Sequence, residues 1–556
     1  MPATAITEQP SLAASELGPP LPLFRVGGTD SLTASPVVRL GGGLLLDSGE
    51  VDRTFVYRCQ DRYLTLAAVL GWRPLFFVAD DTHLALYRRE LEAWRARYAL
   101  VRDASGVLPA AGGTAPLFVV CDLHNLCVHP SAALIEALHD NEDVRSALLH
   151  GIYLNQISPT YADLLAKLRD VLAASGLAVA WDIEAARLAG ALTLRFHDKH
   201  EYVELVRTVG TAGLPAHVPT VSAPPAACLA HRDWPALRGW YACLTGESGV
   251  DALFVKSSRD SGGNVAVRLT EDTFAAGMAA FRRDVAMFVE YEETGAAERL
   301  ATLRDDVARS PVLGALNFDA GDLARFVALQ APRRSGIHLL VQREVRQSPR
   351  GRGGFAGIGL SYVVDDGGEV RLIAVGGQVY RDRDRRHFLG SYVGDDLAAD
   401  ARVCACAAAT RALMGAFAAC GYRGPISVDA RLGQADAYEL IYDANPRLTA
   451  IFPALAVRAM LRRAGLPAAS VLSLGYRGEF DGRLLKTVLG QLDRDGLLYT
   501  RDHPAGAVVL PNLSRGGGVD LALVNVRIDE AAAVLAAVTS GSRLCRAGEP
   551  VPELYW

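Results

Sequence analysis

The sequence predicts a mixed chain, α/β in its first third and α+β thereafter. Three observations carry this. Residues 22–190 alternate short apolar runs with stretches of helical spacing, as a parallel sheet covered by helices requires. Residues 252–269 read strand, Gly/Ser loop, strand, which is a hairpin flap. Residues 424–447, GPISVDARLGQADAYELIYDANPR, read as two strands whose polar members share one face, with Ile441 the apolar exception. At 556 residues the chain exceeds what one core can hold. It divides into a leader (1–21), an α/β domain (22–190), a two-lobed α+β domain (191–340 and 341–480) and a small α+β segment (481–556).

Within the first domain, 44–46, 74–78, 117–121, 151–154 and 177–179 read as apolar strands, and 62–71, 84–98, 131–139 and 160–174 as helices. Gly41, Gly42 and Gly43 lack the spacing of a dinucleotide fingerprint and predict no nucleotide there. A helix opens at Phe196-His197-Asp198-Lys199 and ends at Gly213-Leu214-Pro215, before an extended 217–221. After a helix over 234–244, the strand 252–256 ends in Lys256 and the flap begins. Helical spacing returns at 274–290 and 297–309. Strand 337–345 leaves the apolar core at Gln342. Strands 357–364 and 370–378 turn at Asp365-Asp366-Gly367-Gly368. A helix over 403–419, stopped by Gly421, delivers the chain to the acidic strand pair. Beyond it come helices at 455–464, 484–492 and 530–538 and strands at 507–510 and 520–526.

Composition excludes some partners. The net charge of −5 supplies no basic field for nucleic acid. The most apolar stretch, 403–421, is interrupted by Arg411, so no membrane span is expected. The first residues have neither a basic nor an apolar signal region and predict a disordered leader in a cytoplasmic protein. Nine scattered cysteines argue for reduced thiols. Cys121, His124, Cys127 and His129 have the look of a metal cluster but read better as a strand end and polar loop.

Lysine usage is the more telling fact. Of 57 basic residues only Lys167, Lys199, Lys256 and Lys486 are lysines, so a lysine in a special context suggests a need for a compact ammonium. Lys256 precedes the flap Ser257, Ser258, Ser261, Gly262, Gly263 and Asn264, whose small residues let backbone N–H groups approach a phosphate chain. Asp429, Asp443 and Asn445 offer hard oxygen ligands that suit Mg²⁺. Arg447 stands at the edge of that set, and Arg431 lies two residues along from Asp429. An ion-pair ladder of Asp429 with Arg431 is the plain alternative. The arginine clusters 346–352 and 381–386 read as solvated loops, or else as a grip on an acidic or peptidic substrate.

A DK lysine, a strand lysine before a Gly/Ser flap, a strand ending in an acidic hinge, and D…DxNxR on paired strands occur here in order. That succession resembles the ATP-grasp superfamily over residues 195–447, preceded by what looks like a Rossmann-like pre-ATP-grasp domain. The stretch GEVRLIAVGGQVYRDRDRRHFLGSYVGD is similar to its peptide-ligase branch, typified by the pheganomycin peptide ligase. The resemblance implies that Lys199 and Lys256 contact ATP phosphates under the flap, and that Gln342, Arg343, Glu344 and Val345 form the adenine hinge. It implies Mg²⁺ on Asp429, Asp443 and Asn445, and Arg447, assisted by Arg431, on the substrate carboxylate or its acyl phosphate. Asp443 departs from the family's usual glutamate.

The activity implied is an ADP-forming carboxylate–amine ligase, with an acyl phosphate intermediate and a place in specialised metabolite biosynthesis. Its partners would be a small-molecule carboxylate, amino acid or peptide-like, and an amine, with a homodimer compatible. The alternatives are transfer of an amino acid to a carrier-protein thiol, and an ATP-binding scaffold without catalysis, which the shorter Asp443 motivates.

Overall fold

A computed structural model of the chain describes residues 25–26, 36–38, 64–65, 68, 73–78, 81–110, 117–120, 135–136, 139–142, 152–153, 159–177, 183–209, 216–258, 266–279, 281–282, 338–345, 354–365, 367–380, 388–446, 449–476, 482–511, 519–540 and 554–556. Among these residues the chain is mixed α/β, with two antiparallel sheets around the candidate site. In chain order the strands are β1 (Arg25–Val26), β2 (Pro36–Val38), β3 (Arg73–Val78), β4 (Leu117–Val120), β5 (Ile152–Tyr153), β6 (Thr220–Ala223), β7 (Leu253–Ser257), β8 (Ala266–Leu269) and β9 (Leu339–Arg343). They continue as β10 (Gly357–Val364), β11 (Val370–Tyr380), β12 (Phe388–Gly394), β13 (Gly424–Leu432), β14 (Tyr438–Asn445), β15 (Ser470–Tyr476), β16 (Gly506–Pro511) and β17 (Val519–Val524).

The N-terminal alternation yields a parallel three-stranded sheet, β2-β3-β4, beside an antiparallel β1-β5 pair. The expected helix at 84–98 is longer, Asp81–Ser105, and that at 160–174 runs Pro159–Ala174. The expected strands 44–46 and 177–179, the leader, the helix 297–309, the Cys/His group 121–129 and both arginine clusters lie outside or almost wholly outside the described residues. Cys228, Cys243, Cys404, Cys406 and Cys420 are free thiols.

The flap strands pair as expected, β7 antiparallel to β8, in a sheet ordered β6-β9-β7-β8. Alternation along β9 gives this sheet two faces. Leu339 and Val341 enter a core with Trp234, Leu237, Tyr241 and Val255, while Leu340 joins the large core of the molecule. Gln342 and Lys256 lie on the Leu340 face, because Lys256 pairs with Leu340 and Gln342 is two residues further along.

The larger sheet has eight strands, β14-β13-β10-β11-β12-β15-β17-β16, all neighbours antiparallel. Its inner face is apolar: Ile426, Val428 and Ala430 of β13 are fully buried, under the helix Ala401–Ala419, which inserts Val403, Leu413, Met414 and Phe417. That helix is the one, among the described residues, long and apolar enough to cross a membrane by length and composition. Arg411 does not prevent that match, yet the apolar stripe is spent on the sheet.

Three expectations need correction. The helix thought to open at Phe196 is two helices, Ile183–His197 and Lys199–Val209, broken at Asp198, whose carboxylate caps the second by accepting from His200 N–H at 3.0 Å. Two strands, β12 and β15, were not foreseen. The C-terminal strands β16 and β17 extend the large sheet through β15. The N-terminal region packs there: Trp94 of Asp81–Ser105 donates its indole N–H to Pro511 O at 2.9 Å, and the Thr65 hydroxyl also bonds that carbonyl.

Candidate active site

The two sheets are stitched at one edge. Residue 217 bridges to Leu440 of β14, with Val218 N–H donating to Leu440 O and Leu440 N–H to Ala216 O, each at 2.9 Å. This brings the Lys256 face of the small sheet over the polar face of β13 and β14.

β13 and β14 pair as the sequence predicts, with a break. Ser427 faces Asn445, Val428 faces Ala444, Ala430 faces Leu440 and Arg431 faces Glu439. Asp429 alone therefore stands opposite three residues, Ile441, Tyr442 and Asp443, which form a bulge. Tyr442 holds it with φ of 51°, a left-handed conformation costly for an aromatic residue, offset by ring contacts with Tyr202 and His217. Burial still alternates along β14 as expected, with Ile441 on the same side as Glu439, Asp443 and Asn445; what breaks is the pairing with β13. The bulge turns the Ile441 carbonyl out of the ladder to accept from Lys256 Nζ at 3.0 Å and Gln342 Nε2 at 3.2 Å. Gln342 also donates to Thr220 Oγ1 at 2.7 Å.

Lys199 heads the helix Lys199–Val209 and is almost fully buried, its Nζ 3.7 Å from Asp443 Oδ1. Its backbone N–H donates to Ser258 O at 2.8 Å, tying the DK turn to the end of the flap strand. Beside it His200 and His338 stack nearly parallel, centroids 3.6 Å apart, and burial followed by the neighbouring imidazole lowers the His200 pKa. Asp429 is pushed up to about 7, first by burial and then by the Asp443 charge, against the lowering influence of Arg431, Gln378 and Lys256. Two crowded carboxylates with a carboxamide on the same face, Asn445 being opposite Ser427, form an oxygen donor set. Their mutual repulsion is what a divalent cation would relieve, so the residues fit Mg²⁺. No group of three or more His, Cys, Asp or Glu able to hold a metal occurs among the described residues.

Gln342, Lys199, Lys256, Asp429 and Asp443 therefore converge, with Asn445 and Arg431 on the same strand pair. Ser261, Gly262, Gly263, Asn264 and Arg447 lie outside the described residues. Ser258 is tied to the neighbouring strand: its N–H donates to His338 O at 2.8 Å and its hydroxyl oxygen accepts from His338 N–H, which commits its backbone donor. The hinge narrows as well. Arg343 N–H goes to the Tyr241 hydroxyl at 3.2 Å and Glu344 N–H to Ala252 O at 2.9 Å, while their side chains pair with Glu439 and Arg268.

Gln378 and Tyr380 were not anticipated. Gln378 hydrogen-bonds Asp429, Tyr380 Oη donates to Gln378 Oε1 at 2.5 Å, and Arg431 Nη1 donates to Tyr380 Oη at 2.6 Å. Their sequence, GGQVY, carries a polar residue within an apolar strand, the one local signal that could have marked them. Gly357 makes the row feasible, because a Cβ there would fall 2.4 Å from Arg431 Nη1 and 2.6 Å from Gln378 Oε1.

No protein-family model and no curated protein matches the sequence. Among solved structures the chain is similar to biotin carboxylase from Campylobacter jejuni, at 11% identity and TM-score 0.43, covering 86% of this chain and 88% of that one. It is also similar to an L-amino acid ligase from Bacillus licheniformis, at 11% identity and TM-score 0.41, covering 86% and 94%. A third is N5-carboxyaminoimidazole synthetase from Staphylococcus aureus, at 9% identity and TM-score 0.39, covering 91% and 97%.

Proposed function

We propose that the protein is an ATP- and Mg²⁺-dependent, ADP-forming carboxylate–amine ligase of the ATP-grasp kind, acting in specialised metabolite biosynthesis. The observation that supports this best is the convergence of two ammonium groups, Lys199 and Lys256, on the Asp429–Asp443 pair across a cleft between two antiparallel sheets. A triphosphate carries the negative charge such ammoniums attract, and Asp429, Asp443 and Asn445 would hold a cation that offsets it.

The reaction needs a carboxylate oxygen to attack the γ-phosphorus as the bond to ADP breaks, giving an acyl phosphate. An amine then attacks the acyl carbon, phosphate leaves, and the amine loses a proton. Lys256 and Lys199 stabilise charge growing on the transferring phosphoryl group. Bound at Asp429, Asp443 and Asn445, Mg²⁺ would neutralise phosphate oxygens. With the Arg343 and Glu344 N–H groups committed, base reading falls to the Glu344 carbonyl and Val345 N–H. Ser257, Ser261, Gly262, Gly263 and Asn264 would cover the phosphates and exclude water from the labile intermediate.

Incubation of the full chain with ATP, Mg²⁺, hydroxylamine and a panel of carboxylic acids tests this. Acid-dependent formation of a hydroxamate with stoichiometric ADP is the expected result. AMP and pyrophosphate as products would overturn it.

A further inference from the structure

We propose that Arg431 and Tyr380, with Phe388 at the rim, form the seat of the acyl substrate, and that this substrate is a monocarboxylate with an aromatic or bulky apolar body. The proposal deepens the ligase reading and rests on it for the fate of the carboxylate, though not for its binding.

Arg431 lies flat above Gly357, and among the described residues its hydrogen-bond partner is the Tyr380 hydroxyl. The carboxylate directly across the ladder, Glu439, is taken by Arg343 at 2.6 Å, so among the described residues Arg431 makes no ion pair with it. Asp429, the other nearby acid, accepts from Gln378 and faces Asp443. A guanidinium has five N–H donors in a planar fork, and those of Arg431 not aimed at Tyr380 match a carboxylate.

The tyrosine defines the orientation. Its hydroxyl accepts from Arg431 and donates to Gln378, its ring lies 5.3 Å from the guanidinium carbon, and its backbone is pinned on both sides by Tyr555 at 2.8 and 2.9 Å. Against that ring, edge to face at 6.2 Å, stands Phe388, which remains 46% exposed. An exposed phenylalanine beside a guanidinium that hydrogen-bonds no carboxylate among the described residues, though Asp429 and Asp443 lie near enough to favour its charge, fits a ligand that is anionic at one end and apolar at the other.

Calorimetric titration of the full chain with 3-phenylpropionate, 3-phenylpropanamide and acetate tests the seat directly. The phenyl acid is expected to bind at least tenfold tighter than either the amide or acetate. Arg431→Met should remove the acid-over-amide preference, Phe388→Ala should remove the phenyl-over-acetate preference, and Tyr380→Phe, the variant least able to disturb folding, should weaken the acid several-fold. Equal binding of acid and amide by the wild type, or unchanged binding in Arg431→Met and Tyr380→Phe, would overturn the proposal. ADP release is read separately. Binding as expected without ADP formation leaves the seat in place and removes the ligase reading, whereas ADP formation with none of these preferences removes the seat alone.

Discussion

On the proposed reading, Lys256 and Asp443 serve phosphate and metal rather than folding. The Lys256 ammonium is buried where it donates to the carbonyl of a bulge and acts on the Asp429 carboxylate, and Asp443 shares its surroundings with that second carboxylate. Removal of either should cost function far more than stability. Lys256→Ala and Asp443→Ala are expected to lower ADP-forming turnover by roughly 10²–10³-fold, with melting temperatures near wild type; full activity in either variant would move the chemistry elsewhere. Asp429 gives a pH signature. Its folded pKa of about 7 exceeds the ordinary carboxylate value of 3.8, so between them the folded state binds a proton the unfolded state lacks. Stability without metal therefore falls as pH rises through that window. Denaturation midpoints at pH 5 and pH 8 should differ, and Asp429→Asn should flatten the difference, as should Mg²⁺ by compensating the ionised pair. An Asn variant with the wild-type slope would refute this cause.

Strands and their irregularities explain what could be read in advance. The acidic hairpin, the flap hairpin and the DK turn each rest on local signals, alternation or glycine, and these place Lys199, Lys256, Asp429 and Asp443 near their observed positions. The three-residue bulge at Ile441, Tyr442 and Asp443 has no such signal, because the residues alternate as a regular strand would and only Tyr442's contacts with Tyr202 and His217 sustain the left-handed backbone. Ser258 likewise reads as flap until its bonds to His338 are seen. Gln378 and Tyr380 belong to a strand whose pairing partner, β12, was itself not legible, so their approach to Arg431 across two ladders could not be inferred. β10 makes a testable case. Gly357→Ala should leave the sheet folded, since the clashing atoms end flexible side chains, but should push Arg431 and Gln378 aside. Roughly tenfold weaker binding of 3-phenylpropionate, about 1.4 kcal/mol, is expected by calorimetry; unchanged binding would show that the row carries no ligand.

The molecule as a whole places the candidate site where a four-stranded sheet meets an eight-stranded one, and packs an N-terminal helix against a C-terminal strand. Trp94, 2% exposed, reaches from the helix Asp81–Ser105 to Pro511 of β16, so the C-terminal strands are part of the main sheet and also a bearing for the N-terminal helix. Trp94→Ala should cost about 3–5 kcal/mol, read as a lowered urea midpoint, with turnover per folded molecule retained. The most direct test of the cleft is calorimetric binding of ADP with and without Mg²⁺, in the wild type, in Lys199→Ala/Lys256→Ala and in Asp429→Asn/Asp443→Asn. The account predicts Mg²⁺-enhanced binding in the wild type, loss of affinity in the lysine pair, and loss of the Mg²⁺ enhancement in the acid pair. ADP binding that ignores Mg²⁺ and survives both double substitutions would contradict it.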